Sequence, residues 1–263
     1  MANPYLIEGP AVISFSGGRT SGYMLRRVLD AGLQPDVHVL FANTGKERLE
    51  TLSFVHEIEL RWDVPIHWLE YRREHGASYV EEVTYFTASR EGEPFEAFID
   101  SRGLPNPVFR SCTQELKIRP MRDWMRGRGY DHWTNVVGIR GDEPRRVAKM
   151  RQAQETRKER WDIALPLAEA RISEADVMAF WAEQPFDLQL KQFEGNCDLC
   201  FLKGPIKRQR LMHANPGMGV WWMAMEAKTQ STFRRDVPSY AELLQQGDLL
   251  SPLGELTECF CTD

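Results

Sequence analysis

No apolar run in this 263-residue chain approaches the roughly 18–20 residues that a membrane helix requires, so no membrane partner is expected. The opening residues, MANPYLIEGP, have neither the basic stretch nor the long apolar core of a secretory signal; the location expected is cytoplasmic. Basic residues are in deficit, 33 against 38 acidic ones, and the net charge of −5 speaks against an indiscriminate nucleic-acid binder. Cysteine is scarce: Cys112, Cys197, Cys200, Cys259 and Cys261 are all there are. In a cytoplasmic chain of this size disulfides are not their expected use, which leaves metal binding or redox chemistry. Internal repeats, low-complexity tracts and long linkers are missing too, which argues against independent domains.

What is present is an ordinary globular balance, 42% hydrophobic and 27% charged, long enough to bury a full core. Ala11–Phe15 reads as a buried strand, followed by a glycine loop and a helix over Thr20–Ala31 that stops at Gly32. Asp36–Ala42 is a second strand. Glu47–Trp62 is a helix with Leu49, Leu52, Phe54, Val55, Ile58 and Leu60 as its apolar residues, and Pro65–Glu70 is a third strand. After a less regular stretch, Ile118–Arg128 reads as a helix and TNVVGIR as a fourth strand. Strands alternating with helices imply a parallel sheet with crossover helices, an α/β fold. Beyond about residue 160 the pattern changes to a helix over Arg171–Gln184, with Ser173 and Asp176 as a capping-box variant, and to four of the five cysteines. The organisation expected is a core over 1–165 with a cysteine-bearing helical extension, 166–263, packed on it.

The first loop, SFSGGRTS (Ser14–Ser21), lacks both the Gly-Lys-Ser/Thr ending of a Walker A loop and the GxGxxG dinucleotide spacing. Gly17 and Gly18 would still let backbone N–H groups approach a phosphate, with hydroxyls from Ser16, Thr20 and Ser21 beside them. The helix that follows would aim its positive end at the same spot. A plain turn with Ser or Thr as N-cap is the competing reading. Asn43, Thr44, Gly45 and Glu47 follow the second strand, where ligands meet a parallel sheet, or make a simple Asn-Thr-Gly turn. Gly138, Arg140, Asp142, Glu143 and Arg145 follow the fourth strand. Arginine forks suit phosphate oxygens, and the carboxylates suit Mg²⁺ or neutralise the arginines. Lys117 is a third phosphate contact. Basic residues also crowd Arg140–Arg160 and Lys203–Arg210, as solvated faces or as a nucleic-acid footprint. The tryptophans, including Trp124, Trp133, Trp181, Trp221 and Trp222, read as packing residues.

Cys197 and Cys200 have the two-residue gap that lets both sulfurs face one metal. Spacing alone does not separate zinc from an iron–sulfur cluster.

These segments, in register, resemble a known family. SGG-x-x-S after the first strand resembles the phosphate loop of the ATP pyrophosphatase (PP-loop) superfamily. LFANTGKERLETLSFV, SCTQELKIRPM, VGIRGDEPRR and LPLAEARISEADVMAFW resemble successive segments of its phosphoadenosine phosphosulfate (PAPS) reductase branch. The cysteine pattern is similar to that of adenosine phosphosulfate (APS) reductases, although Ser111 and Thr113 flank Cys112 where those enzymes carry paired cysteines.

The resemblance implies a Rossmann-like sheet that binds ATP with Mg²⁺ and splits it to AMP and pyrophosphate. It implies a [4Fe–4S] cluster on Cys112, Cys197 and Cys200, either completed by a terminal cysteine, Cys259 with Cys261 then a sulfur-carrying thiol or the reverse, or left with its fourth iron open, and zinc as the alternative metal. Ser16, Gly17, Gly18, Thr20 and Ser21 would surround the phosphates, with Arg140 and Lys117 acting on them. The implied activity is adenylation of an acceptor, DNA or tRNA, followed by insertion of sulfur from a donor protein such as a cysteine desulfurase. Two alternatives stand: an APS/PAPS reductase that releases sulfite, and a non-catalytic, zinc-stapled nucleotide-binding subunit.

Overall fold

Strand β1 (Ala11–Ser14) is buried at every position, as its unbroken run of small and branched side chains requires of a central strand. The computed structural model describes residues 3–156, 161–191 and 194–246. On one side of β1 lie β2 (Val37–Asn43), β3 (Ile66–Glu74) and β4 (Ala77–Val83); on the other lie β5 (Thr134–Val137) and β6 (Asp162–Ala164). The order is β4-β3-β2-β1-β5-β6, with every pairing parallel except β3 with β4.

The expected α/β class is observed, with two differences from the sequence reading. The third strand continues to Glu74 and turns back as an antiparallel hairpin, and a three-residue sixth strand adds an edge. β4 is exposed at most positions, so it carries no apolar run by which it could be read.

α1 (Arg19–Ala31) crosses from β1 to β2 and ends at Gly32, whose φ of +99° is the conformation glycine tolerates. α2 (Leu49–Trp62) crosses from β2 to β3. Its Leu52, Phe54, Val55 and Ile58 are buried, whereas Leu49 and Leu60 are exposed, contrary to expectation. These helices cover one face of the sheet, where Ala11, Ile13, Phe15, Val39 and Phe41 form the main core with Met24, Leu25 and Val28.

α3 (Glu93–Arg102) precedes a short helical turn, α4 (Ser111–Thr113), a π-helical turn (Gln114–Ile118) and α5 (Arg119–Gly127). On this second face Val12, Leu40 and Leu69 pack with Trp124, Met125, Trp133 and Trp161. α6 (Pro144–Glu155) follows β5, and the single turn α7 (Pro166–Glu169) follows β6. α8 (Glu174–Ala182) starts at the Ser173–Asp176 capping box and puts Val177 and Trp181 into the main core.

α9 (Pro205–Ala214), α10 (Gly217–Thr229) and α11 (Tyr240–Gln245) enclose another cluster. There Trp222, Phe233 and Tyr240 meet Phe95 and Phe98 of α3 and Leu116 of the π turn. No helix among the described residues is long and apolar enough to cross a membrane. Trp124, Trp133, Trp181 and Trp222 are buried, as packing residues should be.

Candidate active site

The chain runs outward from β1 in one direction through β2 and β3, and in the other through β5 and β6. That reversal makes a crevice at the carboxyl ends of β1 and β5, the place where open α/β sheets bind ligands. The loop after β1 and the loop after β5 both open there. Gly138, just past β5, sits so close that a Cβ would lie 3.3 Å from the Cα of Ser21.

The first loop is not capped by a hydroxyl. The N-cap of α1 is Gly18, with no side-chain cap, and no acidic residue stands in the first turn. The first N–H groups of α1 therefore keep their positive end open to an anion. Gly17 has a φ of +75°, and a Cβ there would come within 2.7 Å of Thr51, so two constraints demand glycine. Ser16 and Ser21 share a hydrogen bond between hydroxyls at 2.9 Å, and Ser21 also donates to the carbonyl of Gly18 at 3.0 Å. Arg19 turns away, paired with Asp187 at 2.7 Å.

Arg140 reaches the same loop, donating to the Thr20 hydroxyl at 3.3 Å, while Asp142 and Glu174 hold its guanidinium at 2.9 and 3.4 Å. The Asp142 carboxyl is held below its ordinary range by hydrogen bonds from the Glu174 backbone and Arg140, which outweigh its own desolvation. Arg145 is exposed in the first turn of α6.

The loop after β2 is tied together internally. Thr44 donates to Glu47 Oε2 through both its N–H and its hydroxyl, each at 2.8 Å. Asn43 is fully buried. Its amide donates to Glu70 and to the Ser89 carbonyl, and its Oδ1 accepts from Gly45 N–H at 3.1 Å. Gly45 has a φ of +76°. Glu70 itself is fully buried, bonded by Ser89 and paired with Arg72 at 2.6 Å. Nothing in the sequence pattern singled it out, because a lone Glu at a strand end reads as the strand's exit.

The cysteine segment docks on that loop. Glu47 and Cys197 form an antiparallel bridge, and the Asp198 N–H donates to the Lys46 carbonyl at 2.9 Å. The Cys197 thiol lies 3.8 Å from Glu47 Oε1, and Lys117, positioned by the π turn, lies 3.7 Å from the same oxygen. Burial pushes the Cys197 thiol well above its ordinary value, with Lys117 opposing and Glu47 adding to the shift. Cys112 is pushed up to about 11, first by burial and then by neighbouring Cys200.

Cys112 and Cys197 are thus each electrostatic neighbours of Cys200. Among the described residues no group of three or more His, Cys, Asp or Glu side chains is arranged to hold a metal ion. Cys259, the fourth expected ligand, and Cys261, the expected sulfur-carrying thiol, lie outside the described residues.

A cavity of about 850 Å³ opens on the second face of the sheet. Its floor holds Val12, Ser14, Trp133 and Asn135, and it extends to Ser16 of the first loop and to Lys117. Ser14 donates its hydroxyl to Asn135 Oδ1 at 2.9 Å, and Trp133 stacks on Trp161 with centroids 5.4 Å apart. The cavity thus sets the stacked Trp133 and Trp161 beside the polar Ser14 and Asn135, next to the loop after β1.

The PAPS reductase domain family matches residues 10–186, more than half of the sequence. The chain belongs to that family. An uncharacterised nin-region protein of Escherichia phage lambda is 33% identical over 208 residues, covering 74% of this chain and 67% of the phage protein. An uncharacterised protein of Methanocaldococcus jannaschii is 28% identical over 162 residues, 61% of this chain but only 29% of that longer protein. The crystal structure of PAPS reductase from Candida auris, a phosphate complex, aligns over 69% of this chain and 79% of that one, at 14% identity and a TM-score of 0.41. The family is a nucleotide-using one, and its matched span holds the first loop, the Asn43–Glu47 loop and the Gly138–Arg145 loop, but ends before the cysteine pair.

Proposed function

We propose that the protein is an adenylating enzyme that uses ATP with Mg²⁺, releases pyrophosphate and prepares an acceptor for sulfur. The carrying observation is the uncapped N-terminus of α1, with Gly17 and Gly18 before it and the Arg140 guanidinium at Thr20. N–H groups on the β and γ phosphates would stabilise pyrophosphate as it gathers charge, leaving the α-phosphorus open to attack by an acceptor oxygen. Lys117, which lines the cavity that reaches Ser16 of the same loop, supplies a second cation.

In this reading the acceptor is nucleic acid, DNA or tRNA, and the sulfur reaches it from a donor protein such as a cysteine desulfurase. Support for the sulfur half is the docking of Cys197 against Glu47 and Lys117, at the phosphate-binding end of the sheet. No step is assigned to a [4Fe–4S] cluster or to zinc, because Cys259 and Cys261 lie outside the described residues and no metal-holding group of three stands among those described. Anaerobic purification followed by iron, zinc and sulfide analysis of the full chain decides that point.

The family description favours a second reading, reduction of a phosphosulfate nucleotide with release of sulfite. One experiment separates the two. The chain is given γ-labelled ATP with candidate acceptors, and separately PAPS or APS with a thiol reductant. Pyrophosphate release supports adenylation; sulfite from the phosphosulfate, with no pyrophosphate from ATP, replaces it with the reductase.

A further inference from the structure

The most exposed large apolar side chains of the described chain are Val108, Phe86 and Phe109, and two of these stand together at the mouth of the cavity on the second face of the sheet. Val108 is 83% exposed and Phe109 73% exposed. They are not on a loose tip. Asn106 Oδ1 accepts from the N–H groups of Val108 and Phe109 at 3.0 and 2.9 Å, and the Asn106 N–H donates to the Phe109 carbonyl. The segment is therefore braced so that a phenyl ring and an isopropyl group face water, an arrangement that costs hydration free energy unless something covers them.

What surrounds them is positive. The charged residues lining this cavity are Arg110, Lys117, Arg122 and Lys149 against a single carboxylate, Glu115. Glu115 is neutralised by Arg119 at 2.6 Å. Arg110 and Lys149 are exposed and make no ion pair among the described residues, and Arg145 lies one turn before Lys149 on α6 in the same condition. In a chain of net charge −5, Arg110 and Lys149 thus share one opening with Phe109 and have no ion pair among the described residues.

Resting on the adenylation reading above, we infer that this mouth grips a single-stranded polynucleotide. Phe109 is the platform on which one base stacks, and Arg110 and Lys149 contact the flanking phosphates. Aromatic stacking and backbone cations are the two parts from which single-strand sites are built. A duplex keeps its bases inside the stack and offers Phe109 nothing to meet. A protein partner would match the apolar pair but gives no reason for the cations Arg110 and Lys149 that line the same opening.

Anisotropy with labelled oligothymidylate and oligouridylate, and with a labelled duplex, tests this directly. Both single strands should bind in preference to the duplex. Phe109→Ala should weaken binding roughly tenfold without changing its salt dependence. Arg110→Ala and Lys149→Ala should each weaken it and lower the salt slope by about 0.7. All three side chains are exposed, so thermal melts of the variants should match the wild type. Equal binding by wild type and Phe109→Ala, a preference for duplex, or a Phe109-dependent protein complex with no oligonucleotide affinity overturns the inference. ATP affinity of the wild-type chain, measured without oligonucleotide, reports on the adenylation reading separately.

Discussion

The side-chain amide of Asn196 donates to the backbone carbonyl of Ser16 at 2.8 Å, across 180 residues of sequence. One hydrogen bond thereby ties the glycine loop after β1 to the segment that carries Cys197. Asn196 is buried, and its amide nitrogen would lie only 3.2 Å from a Cβ at Gly18. Asn196→Ala leaves the Ser16 carbonyl without its partner, and unfolding free energy should fall by about 1–3 kcal/mol. ATP affinity should fall with it, since the loop loses the brace that fixes its carbonyl. Urea unfolding and calorimetry read the two effects. Unchanged ATP affinity in a destabilised variant would mean that the tie serves stability alone.

Lys46 and Asp198 form a second tie, at 2.9 Å, with both side chains largely out of water. Asp198 also accepts from Trp222 Nε1 at 2.8 Å, so one carboxylate joins the loop after β2 to the helical cluster. Asp198→Ala would strand a buried ammonium and an indole N–H together. Breaking such a pair from one side costs about 3–5 kcal/mol. Asp198→Asn, which keeps an acceptor for the indole, should cost less. A denaturation midpoint for Asp198→Ala equal to that of the wild type would contradict the geometry.

The order of elements was legible because β1, α1, β2 and α2 carry strong apolar periodicity and a glycine stop at Gly32. The β4 strand was not, since its exposed, charged face gives a two-residue period nothing apolar to mark. Leu49 and Leu60 misled for a related reason: composition assigns them to a core, but the helix face turns them to water. The glycine loop and the arginine loop were readable as local motifs. The contacts of Asn196 with Ser16 and of Cys197 with Glu47 were not, because they join segments about 150 residues or more apart and leave no local pattern. The cavity floor, with Ser14 beside Asn135, escaped for the same reason.

Cys112 gives a pH prediction. Its thiol is raised from 9.0 to about 11, chiefly by burial, so the folded state prefers the neutral thiol more than the unfolded chain does. The stabilising contribution is therefore complete below pH 9.0 and lost as pH rises through about 11. Alkylation of Cys112 by iodoacetamide should follow the same titration, remaining slow at pH 8 where a free thiol already reacts. Peptide mass spectrometry of labelled protein across that range measures it. Rapid labelling of Cys112 at neutral pH, in protein that remains folded, would show a thiolate that this environment does not support.

The glycine loop after β1 gives the most direct prediction. Gly18 has a φ of −102° and so tolerates a side chain by backbone conformation, unlike Gly17. What a side chain meets there is the Asn196 amide at 3.2 Å, a neighbour able to shift by a few tenths of an ångström. Gly18→Asp should therefore fold. Aspartate is also a good N-cap: its carboxylate can accept from the first N–H groups of α1, so the helix gains a cap. An anion gains nothing further from those N–H groups once they are filled, and it meets a like charge. ATP affinity should drop by at least tenfold while the melting temperature stays level or rises, a pairing that a merely damaged fold cannot produce. Gly17→Ala serves as the contrast. Its φ of +75° and the contact with Thr51 at 2.7 Å predict lost stability along with lost binding. Calorimetry with ATP on both variants, beside their thermal melts, separates an occupied anion site from a strained turn. Full ATP affinity in folded Gly18→Asp would place the phosphates somewhere other than the start of α1.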